Sequence, residues 1–157
     1  MLTKILIANR GEIAVRIIRA CRELGMRSVA VYSEADRYAL HVKKADEAYC
    51  LGEDPIAGYL NPQQLVNIAK SVGCDGLHPG YGFLSENALL AEICVQQGIA
   101  FVGPSAEVIS KMGDKTEARK RMVAAGVPVT PGTDGNLSGL DDAIIKAREI
   151  GYPIMLK

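Results

Sequence analysis

The sequence predicts an α/β fold with a mostly parallel sheet. Short apolar runs alternate with amphipathic helical segments as far as Gly103, and several of these helical segments end at a glycine. β-α-β steps of this kind need right-handed crossovers, which place successive strands parallel to one another. From Pro104 onwards, consecutive helical segments replace the alternation. We therefore expect one domain at residues 1–103 and the helical start of a second at residues 104–157.

The first β-α-β unit is predicted at the amino terminus. Residues 4–8 (KILIA) form the first strand, residues 29–32 form the second, and the helix between them follows Gly11. Apolar side chains recur at helical spacing on one face of this helix, which is expected to pack on the sheet. These side chains are Ile13, Ile17, Ala20, Cys21 and Leu24.

Two further β-α units complete the predicted sheet. A strand at residues 48–51 precedes a second helix, and a strand at residues 75–77 precedes a helix that starts near Glu86. We expect Ser85 to be the N-cap of that helix, because a serine hydroxyl can accept from the free N–H groups of a first turn. Residues 100–102 form the last strand of the sheet.

The second domain is predicted to begin with two consecutive helices. The later of the two starts after Asp114, with Glu117 placed to complete a capping box. Another helix runs to Ile150, and an apolar strand begins at Pro153. Since a strand needs a hydrogen-bonding neighbour and this one has no partner in the sequence, we expect further sequence beyond it.

Charge and composition predict a soluble protein of cytoplasmic type. Lys plus Arg equal Asp plus Glu at 18 each, so no global positive field favours nucleic acid or an anionic membrane. No apolar run reaches the ~18 residues of a transmembrane helix, and no signal peptide precedes the first strand. The four cysteines lie apart in apolar segments, which predicts buried thiols rather than a metal site.

The loop after the first strand argues against a dinucleotide ligand. Residues 8–12 read ANRGE and hold a single glycine. A dinucleotide-binding loop uses the GxGxxG spacing, which lets the backbone approach a pyrophosphate. The sequence thus predicts a Rossmann-like topology without NAD or FAD at this loop.

A second loop, at residues 77–87 (LHPGYGFLSEN), lies where ligands bind in open α/β sheets, between a strand and a helix. Gly80 and Gly82 give the backbone freedom on both sides of Tyr81, so the ring can be held at a surface that another molecule reaches. The alternative is a tight turn in which His78 and Tyr81 only pack. The spacing leaves both interpretations open.

Charged residues supply two more candidates. Lys115 lies near the start of a helix and Lys157 follows an apolar run; such lysines can reach phosphate oxygens, although most lysines are only solvated. Arg16, Arg19 and Glu23 lie on the first helix away from its apolar face. That face is either solvated, with modest ion pairs, or a two-fold contact between subunits.

Four segments together make the chain resemble the biotin carboxylase family of ATP-grasp enzymes. They are residues 7–14 (IANRGEIA), 78–87 (HPGYGFLSEN), 111–115 (KMGDK) and 151–153 (GYP). The likeness covers the whole chain, and the segments occur in the family's order and spacing. The resemblance implies a Rossmann-like, pre-ATP-grasp domain followed by the start of a truncated ATP-grasp domain.

The resemblance also implies an activity and its partners. Members of the family activate bicarbonate with ATP to carboxyphosphate and then carboxylate biotin on a carrier protein. The expected cofactors are ATP, Mg²⁺ and carrier-bound biotin. The expected partners are a biotin carboxyl carrier protein or domain, a carboxyltransferase, and a second copy of the chain in a homodimer.

Several positions of this sequence match functional residues of the family. Lys115 and Lys157 match its first two ATP-contacting lysines, and Tyr81 with Gly82 matches the segment beside the biotin ring. The helix face described above matches the family's dimer-interface helix. It comprises Arg16, Arg19 and Glu23.

The rest of the family's machinery is expected after the counterpart of Lys157, including its magnesium-binding carboxylates. We therefore assign no catalytic residue and no metal ligand within the chain, and expect residues 1–157 alone to be inactive. Two alternatives stay open: a non-catalytic folding and dimerisation module, and the first part of another ATP-grasp ligase. Acetyl-CoA, propionyl-CoA and pyruvate are not distinguished as final acceptors of the carboxyl group.

Overall fold

Five strands form one parallel sheet in a computed structural model of the chain, which describes residues 1–113, 115–133, 135 and 137–155. The strands are Lys4–Ile7 (β1), Arg27–Tyr32 (β2), Glu47–Cys50 (β3), Gly76–His78 (β4) and Ala100–Phe101 (β5). Their order across the sheet is β3-β2-β1-β4-β5, and every pairing between neighbours is parallel. The predicted parallel α/β class is therefore confirmed.

Seven α-helices occur among the described residues. The 3₁₀ turns Glu34–Asp36 and Ala57–Leu60 flank β3. Sequence reasoning missed both turns and the short helix at Leu40–Lys44, because five residues are too few to show a helical period. The helices are Gly11–Glu23 (α1), Leu40–Lys44 (α2), Pro62–Ser71 (α3), Ala88–Gln96 (α4), Ala106–Gly113 (α5), Lys115–Ala124 (α6) and Leu140–Ile150 (α7).

The chain forms two compact units, residues 1–110 and residues 111–157. The first holds the whole sheet, and the second holds α6 and α7. Helix α5 spans the division between them. The boundary predicted after Gly103 stays a prediction.

The core of the first unit follows from the two-residue period of β1. Ile5 and Ile7 pack with α1 on one face of the sheet, whereas Leu6 belongs to the cluster that α3 and α4 cover on the other face. All three side chains are buried. A central strand that is apolar on both faces is what helices on both sides of a parallel sheet require.

Two side chains of the predicted apolar face of α1, Ala20 and Leu24, are exposed. Leu24 is 71% exposed, because the helix ends at Glu23 and the chain turns away through Gly25, which has a φ of 70°. The buried side chains of α1 are Ala14, Val15, Ile17, Ile18 and Cys21.

The predicted N-cap of α4 is wrong. Asn87, not Ser85, caps the helix, and its side-chain oxygen accepts from the Leu90 N–H at 2.9 Å. Ser85 instead lies in a turn, where its own N–H donates to the carbonyl of Gly82 at 2.9 Å. That turn delays the start of the helix to Ala88.

One of the four cysteines differs from the prediction. Cys21, Cys74 and Cys94 are buried, and burial raises the pKa of Cys74 and Cys94 to about 11. Cys50 is exposed, because it is the last residue of β3, a strand at the edge of the sheet.

The second unit carries α7, whose first turn is held by Asp142. The Asp142 carboxylate accepts from the Ser138 N–H at 3.0 Å and from its hydroxyl at 3.1 Å, and these bonds lower the pKa of Asp142. The strand predicted from Pro153 is not formed at residues 153–155, since the described part of the chain offers it no partner strand. Asp114, the predicted start of the capping box, lies outside the described residues.

Candidate functional site

The candidate site lies at the carboxyl ends of β1 and β4. The chain runs from β1 outward to β2 and β3 on one side and places β4 and β5 on the other, so the strand order reverses between β1 and β4. Loops that leave two such strands diverge to opposite faces of the sheet and open a crevice, which is where open α/β sheets bind ligands. The two loops here are residues 8–10 and 79–87.

Asn9 joins these two loops. Its side-chain Nδ2 donates to the carbonyl of Pro79 at 2.8 Å and to the carbonyl of Tyr81 at 3.0 Å. Its Oδ1 accepts from the Arg10 N–H at 2.9 Å, and the residue is only 4% exposed. One buried carboxamide therefore connects the loop after β1 to the loop after β4.

The loop after β4 makes a tight turn at Gly80. The φ of Gly80 is 68°, and a Cβ there would lie 2.7 Å from Asn9 Nδ2 and 2.8 Å from Ile13 Cγ2. The Gly80 N–H donates to His78 Nδ1 at 3.0 Å, and burial lowers the pKa of His78, which keeps that nitrogen free to accept. His78 thus has a structural role in the turn.

Tyr81 projects from this turn and does not pack into the core. Its side chain is 72% exposed, although its own backbone carbonyl is bound by buried Asn9. Of the two interpretations that the sequence left open, the packed tyrosine is therefore wrong. Gly82, the next residue, has a φ of 69° and leaves open space where a Cβ would stand.

A cluster of four side chains, which we call the Arg10 cluster, holds the middle of the same loop at Phe83. It consists of Arg10, Asp36, Tyr59 and Phe83. Arg10 Nη1 lies 3.2 Å from Asp36 Oδ2, and the Tyr59 hydroxyl donates to the same oxygen at 2.9 Å. The Tyr59 and Phe83 rings stack with centroids 5.2 Å apart, and the Arg10 guanidinium lies 5.7 Å from each centroid.

Burial is the largest cause of a raised pKa for the Tyr59 hydroxyl, followed by its bond to Asp36. The hydroxyl therefore stays a donor at neutral pH. Tyr59 also accepts from the Ser33 N–H at 3.3 Å, which links the cluster to the end of β2. The cluster thus connects the loops after β1, β2 and β4.

His41 lies beneath the start of α1 and is fully buried. The Gly11 N–H lies 3.4 Å from its Nδ1, and its Nε2 lies 3.3 Å from the carbonyl of Val31. A neutral ring protonated at Nε2 satisfies both contacts, since Nδ1 must accept and Nε2 must donate. Burial, as the largest cause, lowers the pKa of His41; the positive charge of Arg10 acts the same way, while Asp36 and the Val31 carbonyl oppose it.

We expect the stability contributed by His41 to fall as pH is lowered below about 6.5, the usual pKa of histidine. Because the pKa of His41 is lower in the folded state, the unfolded chain binds the proton more readily. The contribution of His41 to stability is therefore complete above the pKa of the unfolded state, and it is lost as the pH falls toward the pKa of the folded state. Urea unfolding of the chain at pH 7.5 and 5.5 measures the change. His41→Leu, which cannot titrate, should show a smaller difference between the two pH values; an equal difference would contradict the prediction.

The predicted nucleotide residues belong to the second unit. Lys115 is the first residue of α6, and its side chain is not among those described. Lys157 lies outside the described residues. The geometry of the lysine pair is therefore not described.

The α1 face with Arg16, Arg19 and Glu23 is exposed. Arg16 Nη1 lies 3.4 Å from Glu12 Oε1, with both side chains more than two-thirds exposed, so this pair adds little stability. Beside Arg16 runs an apolar groove of about 490 Å³. Among the residues lining it are Leu2, Ile17, Ala20, Leu24 and Met26.

Neither a metal site nor a membrane span is found in the part of the chain that the structure describes. No group of three or more His, Cys, Asp or Glu side chains there is placed to hold a metal ion. No described helix combines the length and apolar character needed to cross a bilayer.

Sequence reasoning missed the linking roles of Asn9, Asp36, Tyr59 and His41. The sequence places Asn9 in a loop that lacks the glycines for a dinucleotide and in the family-like segment 7–14, but it predicts no contact for the side chain. Its position directly after a buried central strand was the signal that could have marked it, because loops at such strand ends line the crevice. Asp36 and Tyr59 stand 23 residues apart in a segment without a clear period, so no local signal pairs them.

Two family models match the chain. The biotin carboxylase N-terminal domain model matches residues 1–109, and the ATP-binding domain model of the carbamoyl-phosphate synthase L chain matches residues 114–157.

Curated relatives match the whole chain. Biotin carboxylase 1 of Bacillus subtilis is 58% identical over 100% of this chain and 35% of its own length. The 2-oxoglutarate carboxylase small subunit of Hydrogenobacter thermophilus is 52% identical over 100% of this chain and 33% of its own length. The chain thus spans about a third of the length of these relatives.

Solved structures give the same likeness. The biotin carboxylase domain dimer of Hydrogenobacter thermophilus 2-oxoglutarate carboxylase, in complex with MgADP, ADP and bicarbonate, matches with a TM-score of 0.90. It is 52% identical, over 98% of this chain and 34% of that one. A biotin carboxylase subunit of pyruvate carboxylase matches with a TM-score of 0.83 and 57% identity, over 98% of this chain and 34% of that one.

Proposed function

Because the chain belongs to the biotin carboxylase N-terminal domain family, we propose that it is the first part of an ATP-dependent biotin carboxylase. In the proposed reaction, a bicarbonate oxygen attacks the γ-phosphorus of ATP and ADP leaves, which gives carboxyphosphate. Its carboxyl group is then transferred to N1 of biotin on a carrier protein, while phosphate leaves and N1 loses its proton. The observation that carries the proposal is 58% identity to a biotin carboxylase over the whole chain. The related structure with MgADP and bicarbonate supports the choice of nucleotide and carbon source.

Tyr81 and Gly82 are the proposed contacts to biotin. The ring of Tyr81 stands exposed at the crevice between β1 and β4, on a turn that buried Asn9 holds. A flat aromatic side chain offers a large contact area at low conformational cost, which suits a flat ureido ring. Gly82 leaves space for a ligand to approach its backbone.

Lys115 and Lys157 are the proposed contacts to ATP. Each supplies a compact positive charge that can bind phosphate oxygens and offset charge on the transferring group. Mg²⁺ prefers carboxylate and other oxygen ligands, and the described residues hold no cluster that fits it.

The exposed face of α1 is the proposed contact between two copies of the chain. Arg16, Arg19 and Glu23 combine positive and negative charge, which can pair reciprocally across a two-fold axis. The apolar groove beside Arg16 would add buried surface to that contact. The related domain dimer supports a homodimer.

The remaining parts of the proposal follow the family. The partners are a biotin carboxyl carrier protein or domain and a carboxyltransferase, and the protein acts in the cytoplasm. Residues 1–103 form the pre-ATP-grasp domain, and residues 104–157 begin the ATP-grasp domain. The family model that matches residues 114–157 is that of an ATP-binding domain, which supports the assignment of the second domain.

The full-length protein should hydrolyse ATP in the presence of bicarbonate, with stimulation by free biotin. In Lys115→Ala we expect the KM for ATP to rise about tenfold or more, because a hydrogen bond to a charged group is worth about 1.5–3 kcal/mol. Lys120→Ala, on the same helix and paired with Glu117 at 3.1 Å, is the matched control and should leave the KM unchanged. A wild-type protein without bicarbonate-dependent ATP hydrolysis would refute the proposed function, and an unchanged KM in Lys115→Ala would refute the role of that lysine.

A further inference from the structure

We propose that Asn9 is a positioning residue for Tyr81. Its buried carboxamide holds the turn from which the tyrosine ring reaches the crevice. The inference rests on the proposed function in one respect, since it takes Tyr81 as a contact to biotin.

The position of Asn9 is fixed by the strand before it. The residue follows β1, which is paired on both sides, and the ladder continues to Ala8, whose N–H donates to the carbonyl of His78 at 2.9 Å. Asn9 therefore extends from the central strand of the sheet, which is hydrogen-bonded on both sides. A side chain held this firmly can act as a template for a loop that has no strand pairing of its own.

The two hydrogen bonds that Asn9 donates go to the residues on either side of Gly80. Both carbonyls that accept from Nδ2 belong to the residues on either side of this glycine, Pro79 and Tyr81. Fixing two carbonyls so close together sets the orientation of the peptide groups between them. The backbone of Tyr81 is thereby anchored at its carbonyl while the ring stays 72% exposed.

The chemistry at this position is specific to an amide. Two carbonyl oxygens face Nδ2, so the group there must supply two N–H donors, while Oδ1 must accept from the Arg10 N–H. An aspartate would place a carboxylate oxygen against both carbonyls. A serine offers one donor with a shorter reach, and an alanine offers none.

The role differs from general support of the fold. The side-chain hydrogen bonds of Asn9 described above join it to backbone groups of residues 79 and 81 and of its own neighbour, so its loss should change the orientation of the turn. The proposed nucleotide contacts lie elsewhere in the chain, at residues 115 and 157. A positioning role thus predicts a defect in the use of biotin and not in the use of ATP.

The test uses the full-length protein with Asn9→Ala, and with Asn9→Ser as a milder variant should alanine prevent folding. We expect the KM for free biotin to rise, or the biotin-dependent kcat to fall, about tenfold to a hundredfold, because small displacements of a positioning group have effects of this size. ATP hydrolysis without biotin should stay within about twofold of wild type, since no contact to ATP is removed. Asp75→Asn is the matched control: its carboxylate binds the Thr3 and Lys4 N–H groups at the opposite end of the sheet, and it should leave the biotin kinetics unchanged.

A double-mutant cycle with Tyr81→Ala tests whether Asn9 acts through Tyr81. If it does, adding Asn9→Ala to Tyr81→Ala should change the biotin kinetics little further. Additive effects of the two substitutions would overturn the inference, as would unchanged biotin kinetics in a folded Asn9→Ala protein.

Hydrogen exchange separates this inference from the proposed function. The amides of residues 80–87 should exchange at least about tenfold faster in Asn9→Ala than in wild type, and at the wild-type rate in Asp75→Asn. Absence of biotin-dependent activity in the wild type would reject the proposed function alone, and the exchange rates would then decide the role of Asn9. Unchanged exchange of this segment in Asn9→Ala overturns the positioning role.

Discussion

Gly80→Ala is expected to lower the free energy of unfolding by about 2–4 kcal/mol, through strain and overpacking together. The φ of 68° disfavours any residue with a Cβ, and that Cβ would stand 2.7 Å from Asn9 Nδ2 and 2.8 Å from Ile13 Cγ2. Neither neighbour can move freely, because the Asn9 carboxamide makes three hydrogen bonds and Ile13 packs against the apolar cluster between β1 and α1. Urea unfolding of the chain, followed by circular dichroism, measures the loss.

Gly73→Ala separates the two causes of the loss, which are backbone strain and overpacking. Gly73 has nearly the same φ, 72°, but nothing lies within 4 Å of the position a Cβ would take. This control carries the backbone strain without the clash and should cost only about 1 kcal/mol. Equal losses in the two variants would show that the contact between Gly80 and Asn9 does not constrain the turn.

The parallel α/β class was predictable because it depends on local patterns. Residues 5–7 of β1 are apolar without a break, as a strand buried on both faces requires, and the structure buries all three. The N-cap prediction is wrong at a place where two local signals compete. Ser85 and Asn87 are both good N-caps, and the preference between them depends on a turn from Gly82 that no periodicity marks.

The sequence left both an exposed and a packed Tyr81 open, and it did not predict the contacts that hold the turn. The loop of Tyr81 joins a strand to a helix, which favours a place at a crevice, and the structure exposes the residue there. The bonds that hold the turn join Asn9 to residues 70 and 72 positions away, and the Arg10–Asp36 pair spans 26 positions. Contacts at such separations depend on the strand order, which hydrophobic patterns alone do not specify.

The Arg10 cluster supplies the second large effect. Tyr59→Ala is expected to lower the free energy of unfolding by about 3–5 kcal/mol, as for other buried aromatic side chains replaced by alanine. Tyr59 is fully buried. Its replacement removes the ring that stacks on Phe83 and contacts Arg10. It also removes the hydroxyl that donates to Asp36 and accepts from the Ser33 N–H. Urea unfolding measures the loss, and Tyr38→Ala, at a tyrosine that is 80% exposed, should stay within about 0.5 kcal/mol of wild type.

Tyr59→Phe divides this loss between the ring and the hydroxyl. The phenylalanine keeps the stack with Phe83 and the contact with Arg10, but it removes one donor to Asp36 and the acceptor for the Ser33 N–H. Because Ser33 is fully buried, its N–H is left without that partner, at a cost of about 1–3 kcal/mol. A loss in Tyr59→Phe as large as that in Tyr59→Ala would assign the whole effect to hydrogen bonding. No loss in Tyr59→Phe would mean that packing alone holds the loops after β2 and β4 together.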